Sequence, residues 1–173
     1  NPTEKLWIGV AGRFEKYDDS SGNTRSGKFS ARYDFTPTFA LRGTISNGFR
    51  APSLSQSVYA QTANQYTTVN GVAQFVEAKT ARVDSALARA LGAEDLTPEK
   101  SRNISLGLTW QPLPNASVTL DAYQIEIRDR IALTGFLYGN GVDQALVANG
   151  YKPGYRIKYF TNAADTTTRG IDL

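Results

Sequence analysis

The chain has 173 residues, 40% hydrophobic and 20% charged, with no cysteine and no histidine. The absence of these two residue types excludes disulfides, thiol chemistry and most transition-metal sites, and it removes the usual general base and nucleophile pairings of enzymes. The formal net charge of +3 is too small to indicate a nucleic-acid partner, and no run approaches the roughly 18 apolar residues that a membrane helix needs.

Four stretches of the chain alternate apolar and polar residues strictly, three of them before residue 51 and one over Ile104–Trp110, a period typical of β-strands with one apolar face. Strands are predicted over Leu6–Tyr17, Gly27–Phe35 and Phe39–Arg50. The polar loop Asp18–Ser26 joins the first two, and the short Pro-marked turn 36–38 joins the last two. The second face of each strand carries repeated charge, so we expect it to face water or a polar filling.

A long polar connection, Ala51–Ser101, follows and contains one predicted helix. Within it, apolar residues recur at helical spacing over Val76–Leu91, and Gly92 is placed to end the helix. A second short helix is predicted over Asp143–Asn149, with Asp143 as N-cap and Gly150 as its stop. We expect both helices to cover apolar residues of their own loops, with closure over a ligand as the alternative.

Three further strands are predicted in the second half, over Arg102–Gln111, Ala116–Ile131 and Lys158–Leu173. A Pro-marked turn joins the first two, whereas the Gly- and Tyr-rich segment Ala132–Ile157 precedes the last. The alternation slips near Tyr123, which indicates either a β-bulge there or a strand end that projects beyond a bilayer.

Short and long connections alternate along the whole chain, as they do in outer-membrane β-barrels. Phe39 and Phe49 share the apolar parity and lie ten residues apart. Their separation is about 33 Å along a strand and roughly 25 Å in height at a tilt of ~40°, which is the height of a barrel's apolar band. Phe35 and Trp110 have the same outward parity at the short-turn end. The expected fold class is all-β: an antiparallel meander of about six strands over residues 1–173, forming a segment of a large transmembrane barrel with helix-bearing loops. A soluble sandwich whose aromatics pack a core is the alternative.

Several short motifs follow one another along the chain, and two are the most specific. These are Gly48–Leu54 (GFRAPSL) and Leu96–Ser101 (LTPEKS). The others are Gly12-Arg13-Phe14, Tyr33-Asp34-Phe35, Leu41-Arg42-Gly43, Ser105-Leu106-Gly107, Tyr123 to Ile131, Thr161-Asn162-Ala163 and Thr168-Arg169-Gly170. The ordered series resembles the C-terminal part of the barrel domain of TonB-dependent outer-membrane receptors.

This resemblance implies a barrel of about 22 strands with a plugged lumen, located in the bacterial outer membrane. It also implies TonB-energised uptake of a scarce ligand, either an iron–siderophore or a carbohydrate. The implied partners are outer-membrane lipid, the extracellular small molecule, a plug domain of the same receptor, and TonB, the last two through a segment preceding Asn1. No cofactor is implied, and no acidic residue is paired with a nucleophile or metal cluster as an enzyme would require.

Arg50 and Glu99 are the clearest candidate pair, because each lies where a predicted strand meets the long loop. We expect them to meet as a structural clamp that closes the base of the loop, rather than as a ligand site. Ligand contacts are expected from loop aromatics, although such residues also pack loops against themselves. The candidates are Tyr59, Tyr66, Phe75, Tyr138 and Tyr155. A passive porin-like channel and a soluble β-sheet binding domain stay open as alternative functions.

Overall fold

The computed structural model describes residues 4–17, 22–69 and 71–173, which form two β-sheets and three short helices. In chain order the elements are β1 (Leu6–Lys16), β2 (Asn23–Thr36), β3 (Phe39–Arg50), α1 (Leu54–Val58), β4 (Gln61–Val69), β5 (Val72–Thr80), α2 (Ala86–Ala90), β6 (Glu99–Leu113), β7 (Ala116–Leu133), α3 (Asn140–Ala148), β8 (Arg156–Lys158) and β9 (Phe160–Asp172). The main sheet has the order β1-β2-β3-β6-β7-β9, and the small sheet has the order β4-β5-β8.

The main sheet confirms the predicted fold class, a mostly antiparallel meander with short turns at one end. Each of its strands overlaps a predicted one, and β3 has the predicted bounds. The predicted loop Asp18–Ser26 is shorter than expected because β2 already begins at Asn23, while residues 18–21 lie outside the described residues. The last predicted strand is divided, since Lys158 ends β8 and β9 starts at Phe160.

Cross-strand register places the alternating apolar residues on one face of the main sheet. Ile45 pairs with Ile104, and Phe39 pairs with Trp110 at the short-turn end. These side chains have little cover within the chain, since Ile45 is 41% exposed and Leu106 is 62% exposed. Such a face is what a transmembrane barrel presents to lipid, while the opposite, polar face lines the barrel interior.

The predicted β-bulge near Tyr123 is wrong. The pairing between β6 and β7 runs without a shift from Val118 to Arg128, and the only recorded shift lies at the turn, between Trp110 and Leu113. The irregular backbone position of β7 is instead Asp129, whose φ of 57° lies in the left-handed region. The apparent slip arises because the outward positions of β7 become polar after Ala122, as expected of a strand that continues beyond the apolar band.

Two compact units divide the chain. The first contains residues 1–50, 98–129 and 165–173, and the second contains residues 51–97 and 130–164. The second unit has its own buried core, which sequence alternation did not reveal. This core consists of Ala81, Val83, Leu87, Ala88, Ala93, Leu96, Ile131, Leu146, Ile157 and Tyr159.

The predicted helix over Val76–Leu91 is largely wrong, because its first residues belong to strand β5. A short apolar run fits both periods, and cross-strand pairing with β4 decided in favour of strand. Only α2 is helical, with Ser85 as N-cap accepting from the Ala88 amide at 3.2 Å. Gly92 ends it as predicted, with φ of 93° in the left-handed region.

The second predicted helix exists as α3, but it begins earlier than expected. Gly139 rather than Asp143 is the N-cap, and Asp143 lies in the first turn. The Asp143 carboxylate accepts a hydrogen bond from the Gly154 amide at 2.7 Å, so it ties down the following loop instead. Gly150, with φ of 78°, follows the helix end. Within the described ranges, none of the helices has the length and hydropathy to cross a membrane.

Candidate functional site

Arg50 and Glu99 meet as the sequence predicted, because the last residue of β3 pairs directly with the first residue of β6. Arg50 Nε donates to Glu99 Oε2 at 2.9 Å, and Arg50 Nη2 donates to Glu99 Oε1, giving a bidentate ion pair. The Glu99 side chain is only 9% exposed, whereas that of Arg50 is 55% exposed. The pair therefore joins the two strand ends from which the connection 51–98 departs.

A second bidentate pair crosses three strands on the polar face of the main sheet. Arg42 on β3 reaches Asp121 on β7, with Nε–Oδ1 at 3.1 Å and Nη2–Oδ2 at 2.5 Å. The residue between them on β6 is Gly107, which pairs with both. A Cβ at this glycine would overlap Asp121 Oδ1 and lie 2.8 Å from Arg42 Nε. Because Gly107 has no side chain, Arg42 and Asp121 can approach each other across it. Strand register shows that these three residues are neighbours.

Asn162, near the start of β9, is hydrogen-bonded to Thr97, two residues before β6 begins. Its side-chain oxygen accepts from the Thr97 amide, and its side-chain nitrogen donates to the Thr97 carbonyl, both at 2.9 Å. The amide side chain thereby imitates a strand neighbour and satisfies two backbone groups. This gives the Thr161-Asn162-Ala163 motif a structural role.

Two of the predicted ligand aromatics, Tyr155 and Tyr59, interact with other side chains of the second unit. The Glu77 carboxylate beside the Tyr155 hydroxyl raises the pKa of Tyr155. Tyr59 packs edge-on against Phe160 with ring centroids 6.4 Å apart, and its hydroxyl donates to Gln61 Oε1. Both side chains therefore help to hold the loops.

Tyr66 and Phe75 form an exposed aromatic pair on the β4–β5 hairpin. They are direct cross-strand partners, and their rings meet at 5.0 Å between centroids with an interplanar angle of 62°. Tyr66 is 64% exposed and Phe75 is 72% exposed. Much of their apolar surface is thus available for contact.

Tyr138 belongs to a separate group of cations and aromatics on the small sheet. The Arg156 guanidinium lies 4.8 Å from the Tyr138 ring centroid, and Lys158 Nζ lies 5.2 Å from that of Phe136. Between the two cations, Ile157 is fully buried and bridges to the backbone of Leu137. We call the group Phe136, Tyr138, Arg156 and Lys158 the cation–aromatic face.

The charge of this face is not balanced by neighbouring acids. Neither Arg156 nor Lys158 forms a salt bridge with any residue that the structure describes. Arg156 Nη1 makes only a long contact, 3.5 Å, with Thr67 Oγ1. A guanidinium and an ammonium beside aromatic rings suit a ligand that carries both negative charge and flat apolar groups.

Sequence reasoning missed Arg156 and Lys158, and it grouped aromatics that the fold separates. Arg156 pairs with Ala78, whose parity on β5 is opposite to that of Phe75. Tyr66 and Phe75 therefore lie on the other face of the small sheet from Arg156. The available signal was the alternation Arg-Ile-Lys after an aromatic-rich loop, but a strand of three residues is too short to stand out. Within the described ranges, no cluster of three or more acidic, histidine or cysteine residues is arranged to hold a metal ion.

A sequence model of the family described as TonB dependent receptor-like, beta-barrel, matches residues 1–173. The chain belongs to this family. Members of the TonB-dependent receptor family are outer-membrane proteins of Gram-negative bacteria, so the exposed apolar face of the main sheet is its lipid-facing side.

Solved receptors share this fold. The siderophore receptor PirA from Acinetobacter baumannii is 19% identical with a TM-score of 0.62, over 97% of this chain and 22% of that one. A mutant ferric enterobactin receptor (PfeA) from Pseudomonas aeruginosa is 16% identical with a TM-score of 0.66, over 96% of this chain and 21% of that one. The chain thus spans about a fifth of these receptors. No curated protein matches it.

Proposed function

We propose that this chain is the part of a TonB-dependent receptor that helps to capture an anionic iron chelate for uptake across the outer membrane. The family and the siderophore receptors among its structural neighbours support a transport receptor. The choice of ligand class rests on one observation, the unbalanced positive charge of the cation–aromatic face. The plug domain and TonB are the remaining partners that membership of the family suggests.

The chemistry of the face favours an anionic chelate over a carbohydrate. Catecholate-type iron chelates carry negative charge on oxygen atoms and present flat aromatic rings. Arg156 can donate paired hydrogen bonds to such oxygens, while Tyr138 offers a ring for stacking. A neutral sugar would use the rings but would leave two cations without a counter-charge.

The Arg50–Glu99 pair has a supporting role in this proposal. It holds together the strand ends at the base of the connection 51–98, which carries α1, β4, β5 and α2. We infer that it is a structural clamp rather than a ligand contact, because each charge is already neutralised by the other. The exposed Tyr66 and Phe75 pair is proposed as a second, apolar contact surface.

Ligand binding tests the proposed class directly. The full-length receptor would be titrated with ferric enterobactin, and with a neutral ferric hydroxamate as comparison. Replacing both Arg156 and Lys158 by Gln should weaken ferric enterobactin binding by at least about tenfold, since hydrogen bonds to charged groups contribute roughly 1.5–3 kcal/mol each. Lys152→Gln, an exposed lysine of the same loop, is the matched control and should bind normally. Equal affinities in the two variants would contradict the proposal.

Cellular uptake separates transport from passive diffusion. Accumulation of the radio-iron chelate should stop when the proton-motive force is collapsed or TonB is deleted. Continued accumulation under either condition would indicate a porin-like channel instead.

A further inference from the structure

The lipid-facing side of the main sheet changes from apolar to basic near its long-loop end. Phe29, Ile45 and Ile104 pair in register across β2, β3 and β6 and form the last outward row that is apolar on all three strands, while Phe14 and Phe49 lie farther toward the long loops. Beyond that row the same parity carries several exposed cations, four of which lie on the neighbouring strands β2, β6 and β7. These four are Arg25 on β2, Lys100 and Arg102 on β6, and Arg128 on β7. We call these four residues the basic border.

The register fixes these side chains on the outer face. Arg102 pairs with Asn47 and lies two residues from Ile104, so it keeps the outward parity. Lys100 pairs with Arg128 in the next outward row. Arg25 is the cross-strand partner of outward Phe14, and its guanidinium lies 5.8 Å from the Phe14 ring centroid. All four cations therefore point away from the barrel interior.

Acidic neighbours balance this charge only in part. Lys100 Nζ lies 3.4 Å from an oxygen of Asp129, and Arg128 Nη2 lies 3.8 Å from an oxygen of Glu126. Arg25 and Arg102 form no salt bridge with any residue in the described part of the chain. Arg25 and Arg102 are therefore exposed cations that lack an acidic partner among the described residues, at the depth where the apolar face ends.

This position coincides with the head groups of one leaflet. In outer-membrane barrels the short turns are periplasmic and the long loops extracellular, so the basic border lies at the outer leaflet. Cations next to a membrane attract anionic lipid, each contributing about a fivefold gain in affinity, and they act within a Debye length of the surface. Arginine additionally matches phosphate oxygens with paired donors.

We propose that the basic border binds the phosphate groups of an outer-leaflet lipid. The acyl chains of this lipid pack against Phe29, Ile45 and Ile104, and its phosphates lie between Arg25 and Arg102. The site is distinct from the proposed ligand contacts, because it faces out of the barrel. It anchors the extracellular end of these strands at a fixed depth.

Lipid binding by the full-length receptor tests this assignment. The detergent-solubilised receptor would be titrated with lipid A, and with dephosphorylated lipid A, and bound lipid counted by native mass spectrometry. The double variant Arg25→Gln/Arg102→Gln should bind lipid A about 25-fold more weakly, from about fivefold per cation. The matched control Lys28→Gln/Arg32→Gln removes two cations of β2 that have the inward parity, and it should bind like the unchanged receptor.

Two further measurements keep the test decisive if the double variant folds poorly. Arg25→Lys/Arg102→Lys should retain most binding, and about 0.5 M salt should weaken lipid A binding to the unchanged receptor. Equal loss in the double variant and its control, equal binding of the dephosphorylated lipid, or insensitivity to salt would each overturn the proposal. Failure of the ferric enterobactin test would leave this result unaffected, because different residues are involved.

Discussion

Replacing Glu99 by Gln should loosen the connection 51–98 without unfolding the main sheet. The amide keeps the size of the side chain and accepts one hydrogen bond from Arg50, but it loses the charge that strengthens the bidentate pair. Charge-assisted hydrogen bonds contribute roughly 1.5–3 kcal/mol. Because the Arg50 side chain is 55% exposed, solvent screening reduces this gain. We therefore expect a loss of about 1–2 kcal/mol in the free energy of opening the base of the loop.

Limited proteolysis of the folded receptor measures this opening. When opening is fast relative to cleavage, the cleavage rate follows the population of the open form. A cost of about 1–2 kcal/mol then corresponds to about 5- to 30-fold faster cleavage within residues 51–98. Glu94→Gln is the matched control, because it makes the same chemical change at an exposed position of the same connection.

The clamp hypothesis fails if the Glu99→Gln and Glu94→Gln receptors are cleaved at the same rate. Arg50→Lys provides an independent check from the other partner. Lysine keeps the charge but lacks the paired donors, so cleavage should accelerate by less than in Glu99→Gln. An acceleration confined to Arg50→Lys would mean that the Arg50 side chain acts through contacts other than Glu99.

Three more predictions concern contacts within the two units. Gly107→Ala should separate Arg42 from Asp121 and lower the free energy of unfolding by about 1 kcal/mol, a small value because the pair is partly exposed. An unchanged urea midpoint of the refolded receptor would argue against the bridge. Ile157→Ala removes a fully buried side chain and should cost about 2–5 kcal/mol, seen as lost amide-exchange protection confined to the second unit. Burial raises the pKa of Tyr159, so the stability that its protonated hydroxyl gives the fold is fully present below the unfolded pKa of about 10. This stability is lost as pH rises through the folded pKa. Tyr159→Phe should therefore flatten the fall in melting temperature above about pH 10, and an equally steep fall would contradict this.

The main sheet was predictable because its information is local. Alternation over Phe39–Arg50 gives the strand, and Pro37 within a short polar turn gives the hairpin. The contrast between short and long connections then indicates a membrane barrel. Arg50 and Glu99 could be paired for the same reason, since both lie at strand ends that must adjoin if β3 and β6 are neighbours.

The second unit was only partly predictable, because its structure depends on contacts between distant segments. Val76 satisfies both a helical and a strand pattern, and pairing with Gln65 across the hairpin decides between them. Strand β8 is too short for any period to show, and it exists because β5 and Leu137 supply partners on either side. The cation–aromatic face is a product of that pairing, so its cations escaped sequence reasoning.

The sequence by itself thus determined a sheet with one apolar face, its short-turn end and the kind of barrel to which it belongs. Side-chain period is a local property that survives without knowledge of the fold. Only the tertiary structure decided which distant side chains share a place, as with Arg42 and Asp121 across Gly107, or Arg156 beside Tyr138. Such meetings depend on strand register, and register is set by the whole sheet rather than by any one strand.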